Sequence, residues 1–327
     1  MKRIIALAVL TCFLASLFGC SSGDNATQSA KSIIVGFSQL GSESGWRVGN
    51  TNDIMAAAQR ANVQLLFMNA DQKQENQIKA IRSFIASRVD VIAFAPIVED
   101  GWDNVLQEAK DAGIPVLLTD RMINVKDSSL YAGFVGSNFL REGQEAAEFL
   151  LKKTADMDRV RIVEITGTED STPMKERKEG FENQIAGNPK YEIIDTVSGD
   201  FLRSKGKECM RNILKETHDF NVLYSHNDAM TLGAIEAIEE AGLQPGKDII
   251  IITVDGEQRA IDLLKQGKIN CVVECTPLIG DTVMALAKKL AAGESIPRIT
   301  YSVERTFSEY DTDLDTLPPR GYGDEQD

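Results

Sequence analysis

Polar clusters of one chemical type follow directly on short apolar runs in this sequence. After "IIVGFS" come Ser42, Glu43, Ser44, Gly45, Trp46 and Arg47, and after "LLT" come Asp120 and Arg121. A loop after "VEIT" leads to Arg177; Asn227 and Asp228 follow "LYSH"; Asp255 and Gly256 follow "ITV"; Glu274 closes "VVE", with Cys275 next. Carboxylates and amides accept hydrogen bonds in pairs, and guanidinium groups donate in pairs. Such a set suits a ligand dense in hydroxyls, each of which donates one bond and accepts more. Trp46 adds a flat apolar plate for the C–H face of a ring. The candidate ligand-binding residues are Glu43, Ser44, Gly45, Trp46, Arg47, Asp120, Arg121, Arg177, Asn227, Asp255 and Glu274. Each has a plainer reading: Asp120–Arg121 as a surface ion pair, Asp255 as a helix cap, Asn227–Asp228 as an Asx turn and N-cap, Trp46 as core. What they share is their place, at the ends of apolar runs.

Other chemistries find less support. Neither GxxxxGK[ST] nor GxGxxG occurs, so no phosphate cradle and no cofactor are expected. GxSxG is absent as well. Glu43 with Asp120 could mimic a glycosidase pair, but no other feature points to that reaction, and the chain is not expected to be an enzyme. There are two histidines, neither beside a second ligand at metal spacing, so no metal site is expected; His226, at a strand end, reads as structural. The formal charge of −14 argues against nucleic acid, whose phosphates need a basic face. Cys209, Cys271 and Cys275 form no CxxC pair. Along an extended run Cys271 and Cys275 stand about 13 Å apart, beyond the roughly 7 Å a disulfide spans, and they read as small buried residues.

The elements that must position these side chains alternate. "IIVGFS", "VQLLFM", "DVIAFA", "PVLLT" and "YAGFVG" are short and apolar on both faces, as in parallel strands covered on two sides. Helical patterns over 46–61, with Val48, Thr51, Met55 and Ala58 as the apolar stripe, 74–87 and 102–112 lie between them. Near Ser137 the rhythm restarts. "VRIVEIT", "YEIIDTV", "NVLYSH" and "DIIIITVD" alternate with helices near 175–186, 204–216, 229–241 and 258–265, and then come "INCVVE", a helix over 277–291 and "ITYSVE". Two such series predict an α/β protein of two doubly wound parallel-sheet domains. In these sheets ligands sit outside the carboxyl ends of the strands, where the polar clusters fall.

The N-terminus is separate. "MKR" and the apolar run "IIALAVLTCFLASLF" read as a secretory signal, too short for a comfortable membrane span. "LFGC" resembles the lipobox of bacterial lipoproteins, which makes Cys20 the acylated first residue of the mature chain. Residues 21–31 are polar and read as a flexible tether.

The segments "VGFSQLGSESGWR", "DQKQENQIKAIRSFIASRVDVIAFAPIVEDGW", "IPVLLTDR", "SGDFLRSKGKECM", "YSHNDAMTLGAIEAIEEAGLQPGKDI" and "VDGEQRAI" resemble the periplasmic sugar-binding proteins of ABC importers, in the ribose/galactose-binding group. The resemblance runs from about Ser32 to Tyr322. It implies a type I periplasmic binding protein: two lobes joined by a three-segment hinge, closing on a monosaccharide, galactofuranose-like or another pentose or hexose. The lobes are expected at 32–137 plus 275–300 and at 138–274 plus 301–322, with a tail at 323–327. It further implies an exported monomer, in the periplasm or cell envelope, that delivers sugar to an importer permease and meets the membrane only through Cys20. The alternative within this fold is a periplasmic sensor feeding a receptor kinase or chemoreceptor.

Overall fold

The structure, a computed structural model of the chain, describes residues 32–323. The signal, Cys20 and the tether lie outside them, as do residues 324–327 of the tail. The first series comprises β1 (Ile34–Gln39), α1 (Gly45–Arg60), β2 (Gln64–Asn69), α2 (Gln74–Ala86), β3 (Val91–Phe94), α3 (Asp103–Asp111), β4 (Val116–Thr119) and β5 (Gly133–Gly136). The second comprises α4 (Phe139–Lys153), β6 (Val160–Thr166), α5 (Thr172–Ile185), β7 (Tyr191–Ser198), α6 (Arg203–Glu216), β8 (Val222–Ser225), α7 (Asp228–Glu240), β9 (Ile250–Asp255), α8 (Gln258–Lys265) and β10 (Cys271–Glu274). Then α9 (Gly280–Ala291), β11 (Ile299–Tyr301) and β12 (Thr306–Ser308) follow.

Two six-stranded sheets result, ordered β11-β5-β4-β3-β1-β2 and β12-β10-β9-β8-β6-β7. Each is covered on both faces. In the first lobe α2 and α3 cover one core and α1 and α9 the other; in the second, α6, α7 and α8 oppose α4 and α5. The central strands β3, β4, β8 and β9 are buried at every residue, as their unbroken apolar runs predict.

Four expectations change. β2 is half exposed despite its apolar run, because it is the outer strand of its sheet. The sheets are not wholly parallel, since β12 runs antiparallel to β10. β11 leaves the first sheet at its carboxyl end and the chain enters the second sheet from the facing carboxyl edge, so the next strand must run backwards. "ITYSVE" is therefore no single strand: Tyr301 still pairs with Gly136 in the first sheet, and Ser302–Arg305 cross to the second. The buried face of α1 is Trp46, Arg47, Asn50, Ile54, Ala57 and Ala58, while Val48 and Met55 are exposed. The helix turns polar Asn50 inward, where its amide donates to the Pro277 carbonyl and accepts from Gln39, so apolar spacing alone misplaces the stripe.

Candidate ligand site

The carboxyl ends of both sheets face each other across a cleft. In the first lobe, Ser44 caps α1 by accepting from the Arg47 amide at 3.2 Å. Glu43 and Arg47 then lie one turn apart, and Glu43 Oε1 accepts from Arg47 Nε at 3.0 Å. The far end of Arg47 reaches Asp120 Oδ2 at 2.6 Å. Asp120 is left-handed, with φ 61°, a conformation Asp tolerates better than most residues. That kink ends β4 and turns the side chains of both Asp120 and Arg121 into the cleft. Arg121 donates to the Ile97 carbonyl at 3.1 Å and sits over the Phe201 ring of the other lobe at 5.3 Å.

In the second lobe the anchor is Arg177 on α5. Its Nε donates to Glu142 Oε2 at 2.6 Å, its Nη1 to the His226 carbonyl at 2.5 Å, and its Nη2 lies 3.7 Å from Asp255 Oδ1. Glu142 is on α4, and the two helices must pack closely for this reach. A Cβ at Gly143 would come within 2.2 Å of the Arg177 carbonyl oxygen, so glycine is required there. Asp255 is held by its loop: Asp228 Oδ2 accepts from the Gly256 and Glu257 amides at 2.8 and 2.7 Å. Asn227 takes the capping role, its Oδ1 accepting from the Met230 amide at 2.9 Å, while its Nδ2 faces the Phe201 carbonyl.

These groups line a small cavity between the lobes. Nine of the eleven expected residues line it; Gly45 and Glu274 do not. Gly45 faces Glu257 and Gly323. Glu274 is turned away, paired with Arg320 and accepting from the Arg305 amide at 3.0 Å. Phe139, Pro173 and Phe201 line the cavity and were not singled out by the sequence; Cys275, which directly follows "VVE" and reads from the sequence as a small buried residue, lines it too. Phe139 opens α4, a helix the strand-end argument passes over, although Asn138 before it and the lysines at its end mark its bounds. Phe201 sits at φ 62° in a loop with no apolar run to announce it. Trp46 combines both of its readings: its ring lines the cavity and is nevertheless 5% exposed, with Nε1 donating to the Cys275 carbonyl at 2.5 Å.

The electrostatics alternate in sign around the cavity. Burial works against the Arg47 and Arg177 cations, but Asp120 and Glu43 around the first and Glu142 around the second hold both above the usual arginine range. Arg121 is pulled down to about 10 by burial and by neighbouring Arg47. Burial pushes Asp255 well up, against the pull of Arg177. Glu43 Oε2 and Arg121 Nε are buried without a hydrogen-bond partner in the protein. Buried polar groups are normally paired, so these are valences a hydroxyl-bearing ligand would satisfy, one as donor and one as acceptor. Glu43 and Asp120, conceivable as a glycosidase pair, both bind Arg47 instead. His226 lies behind the site, fully buried, with Nε2 3.0 Å from Glu164. The three cysteines within 32–323 are free, and Cys271 and Cys275 are buried as expected.

Contacts at the rim hold the lobes together. Lys175 pairs with Glu99 at 2.7 Å, and Thr172 Oγ1 accepts from the Met122 amide at 3.1 Å. On the other side Glu257 Oε1 accepts from the Trp46 amide at 2.7 Å, placing an anion at the N-terminus of α1.

Two facing α/β lobes with a polar cavity at their strand ends define a binding protein, and the chain belongs to the periplasmic binding protein family, whose periplasmic binding protein domain matches residues 35–295. Within it the chain is similar to the galactofuranose-binding protein YtfQ of Escherichia coli K12, 44% identical over 275 residues, which cover 83% of this chain and 86% of that protein. It is similar to a Mycobacterium smegmatis protein solved with β-D-fucofuranose, at 45% identity and TM-score 0.85, over 87% of this chain and 93% of the other. The binding component of the arabinose ABC transporter of Shewanella sp. ANA-3, solved with α- and β-L-arabinofuranose, is 40% identical with TM-score 0.83, over 86% of this chain and 93% of that one. The Escherichia coli and Shewanella relatives are both named as binding proteins.

Proposed function

We propose that this chain is the extracytoplasmic receptor of an ABC sugar importer and that it captures a neutral monosaccharide in its furanose form. The observation that carries this is the cavity itself: three arginines alternating with Glu43, Asp120 and Asp255, drawn from both lobes, with buried valences left over for hydroxyls. Glu43, Asp120 and Asp255 accept from the sugar; Arg47, Arg121, Arg177 and Asn227 donate; Trp46, Phe139 and Phe201 pack its C–H faces. The ring form is supported by what the relatives have in common, since galactofuranose, fucofuranose and arabinofuranose are all five-membered rings. Delivery to a permease is favoured over sensing, because the arabinose relative is a transporter component.

The test is a melting-point screen with D-galactose, D-fucose and L-arabinose against myo-inositol, followed by carbon NMR of bound, C1-labelled D-galactose. The expected result is stabilisation by at least one of the three sugars and a furanose anomeric resonance. No stabilisation by any of them overturns the receptor reading, and a pyranose resonance overturns the ring form.

We further propose that the mature protein is a monomer anchored to the membrane only through an acylated Cys20. "LFGC" followed by a polar stretch supports this. Cys20→Ser is expected to release the protein from the membrane fraction or block its processing; unchanged processing and fractionation would remove the anchor.

A further inference from the structure

Behind the cavity, one half-buried cluster joins all three passages of the chain between the sheets. Ser137 stands in the first passage, Cys275 and Thr276 in the second, and Glu304 in the third. Glu304 Oε1 accepts from Ser137 Oγ at 2.5 Å and from the Thr276 amide at 2.8 Å. Ser137 Oγ is also 3.3 Å from Cys275 Sγ. A carboxylate oxygen of Glu142, the Cys275 sulfur and a carboxylate oxygen of Glu304 lie within 4.8 Å of one another. Glu142 in turn grips Arg177 at 2.6 Å, and its Oε1 has no hydrogen-bond partner in the protein. A continuous run of side chains thus leads from the hinge to the guanidinium that faces the ligand.

We propose that Glu304 is a positioning residue: it ties the three passages together in the closed arrangement and, through Cys275 and Glu142, sets Arg177 against the sugar, so that its protonation adjusts sugar affinity. This rests on the receptor reading above. The charged and titratable groups facing Glu304 are Glu142 from α4, Cys275 after β10, and Glu274 at the end of β10, which Arg320 and the Arg305 amide occupy on its far side. Burial first, and then the Glu142 charge, raise Glu304 to about 8. Burial also raises Glu142, against the pull of Arg177.

The sign follows from linkage. In the closed form Glu304 keeps its proton up to about pH 8, whereas a solvated glutamate loses it near about 4.3. Opening parts Glu304 from Ser137 and Thr276, admits water and releases the proton within that window. The closed, sugar-bound form is then favoured most at the acid end, loses ground as pH rises, and levels off above about 8, with one proton giving at most about tenfold in affinity per pH unit.

The experiment is calorimetric titration of the mature protein with D-galactose and with L-arabinose, from acid to alkaline pH, for wild type, Glu304→Gln and Glu304→Ala. Asp228 and Asp255 are also raised by burial, so the difference between the profiles reads Glu304. Glu304→Gln keeps an acceptor for Ser137 and Thr276 but carries no titrating proton, and is expected to bind with a flatter profile. Glu304→Ala is expected to bind about tenfold more weakly than Glu304→Gln, the loss of a buried bonded partner. Parallel profiles for wild type and Glu304→Gln overturn the proposal, as does equal affinity of the two variants. Should Glu304→Ala fail to fold, the Glu304→Gln profile decides alone. Sugar affinity that falls with a chelator and returns with Zn2+ would also overturn it, in favour of a cation held by Glu142, Cys275 and Glu304. If wild type binds no sugar at any pH, it is the receptor reading that fails.

Discussion

The two halves of the cavity are built on different plans. The first lobe's half is built from two short-range pairs, Glu43 with Arg47 one helical turn on and Asp120 beside Arg121, joined by a single long-range contact from Arg47 to Asp120. The second lobe's half is long-range. Arg177 is held by Glu142, 35 residues before it, and by the His226 carbonyl, 49 residues after it. A local half needs only its helix start and strand end to be in place. A long-range half needs α4, α5 and the strands beneath them packed correctly, and its key partner Glu142 reaches the hinge cluster. The second lobe's half, through Glu142, is the one that lies next to the hinge cluster.

The sharpest way to break this contrast is Arg177→Ala. It leaves Glu142 buried, 3% exposed, without its cation. Breaking a buried pair from one side costs on the order of 3–5 kcal/mol. The expected outcome is a clearly lowered melting point together with loss of measurable sugar binding; an unchanged melting point would show that the α4–α5 pair does not depend on this contact. Asp120→Asn is the counterpart in the local half. Asn tolerates the same left-handed backbone but carries no charge for Arg47. With the Asp120 carboxylate 2.6 Å from Arg47, both sugar affinity and the stability of the free fold should change. Affinity is expected to fall by about 1.5–3 kcal/mol, roughly tenfold to more than a hundredfold, and the melting point to fall less than for Arg177→Ala. Wild-type affinity with a lowered melting point would make Asp120 structural only. The smallest effect is expected from Lys175→Ala, which removes the rim pair to Glu99. Lys175 is 41% exposed, so solvent screening limits the pair to about 0–1 kcal/mol. Sugar affinity should weaken by less than about fivefold, and the change should vanish in high salt. A larger, salt-independent loss would mean that the rim, rather than the cavity, holds the lobes closed.

What was legible in the sequence, and what was not, follows the same division. Strand runs such as "VIAF" and "VLLT" declared themselves because a strand buried on both faces must be apolar throughout. The candidates Glu43, Arg47, Asp120 and Arg121 could be found because a strand end is a fixed address in this architecture. Glu142 could not, since a glutamate in an amphipathic helix looks the same whether it meets water or a buried arginine. Phe201 was equally silent, as its place on the cavity wall depends on loops from both lobes meeting. Glu274 was misplaced for the converse reason: it does stand at a strand end, but Arg320, 46 residues later, draws its carboxylate away. The sequence by itself determined the two alternating series and the polar character of their strand ends, because each is written in short-range pattern. Only the tertiary structure decided which charges pair, which face of α1 is buried, and that three distant passages of chain converge on Glu304, because those outcomes depend on distances between segments that no local pattern encodes.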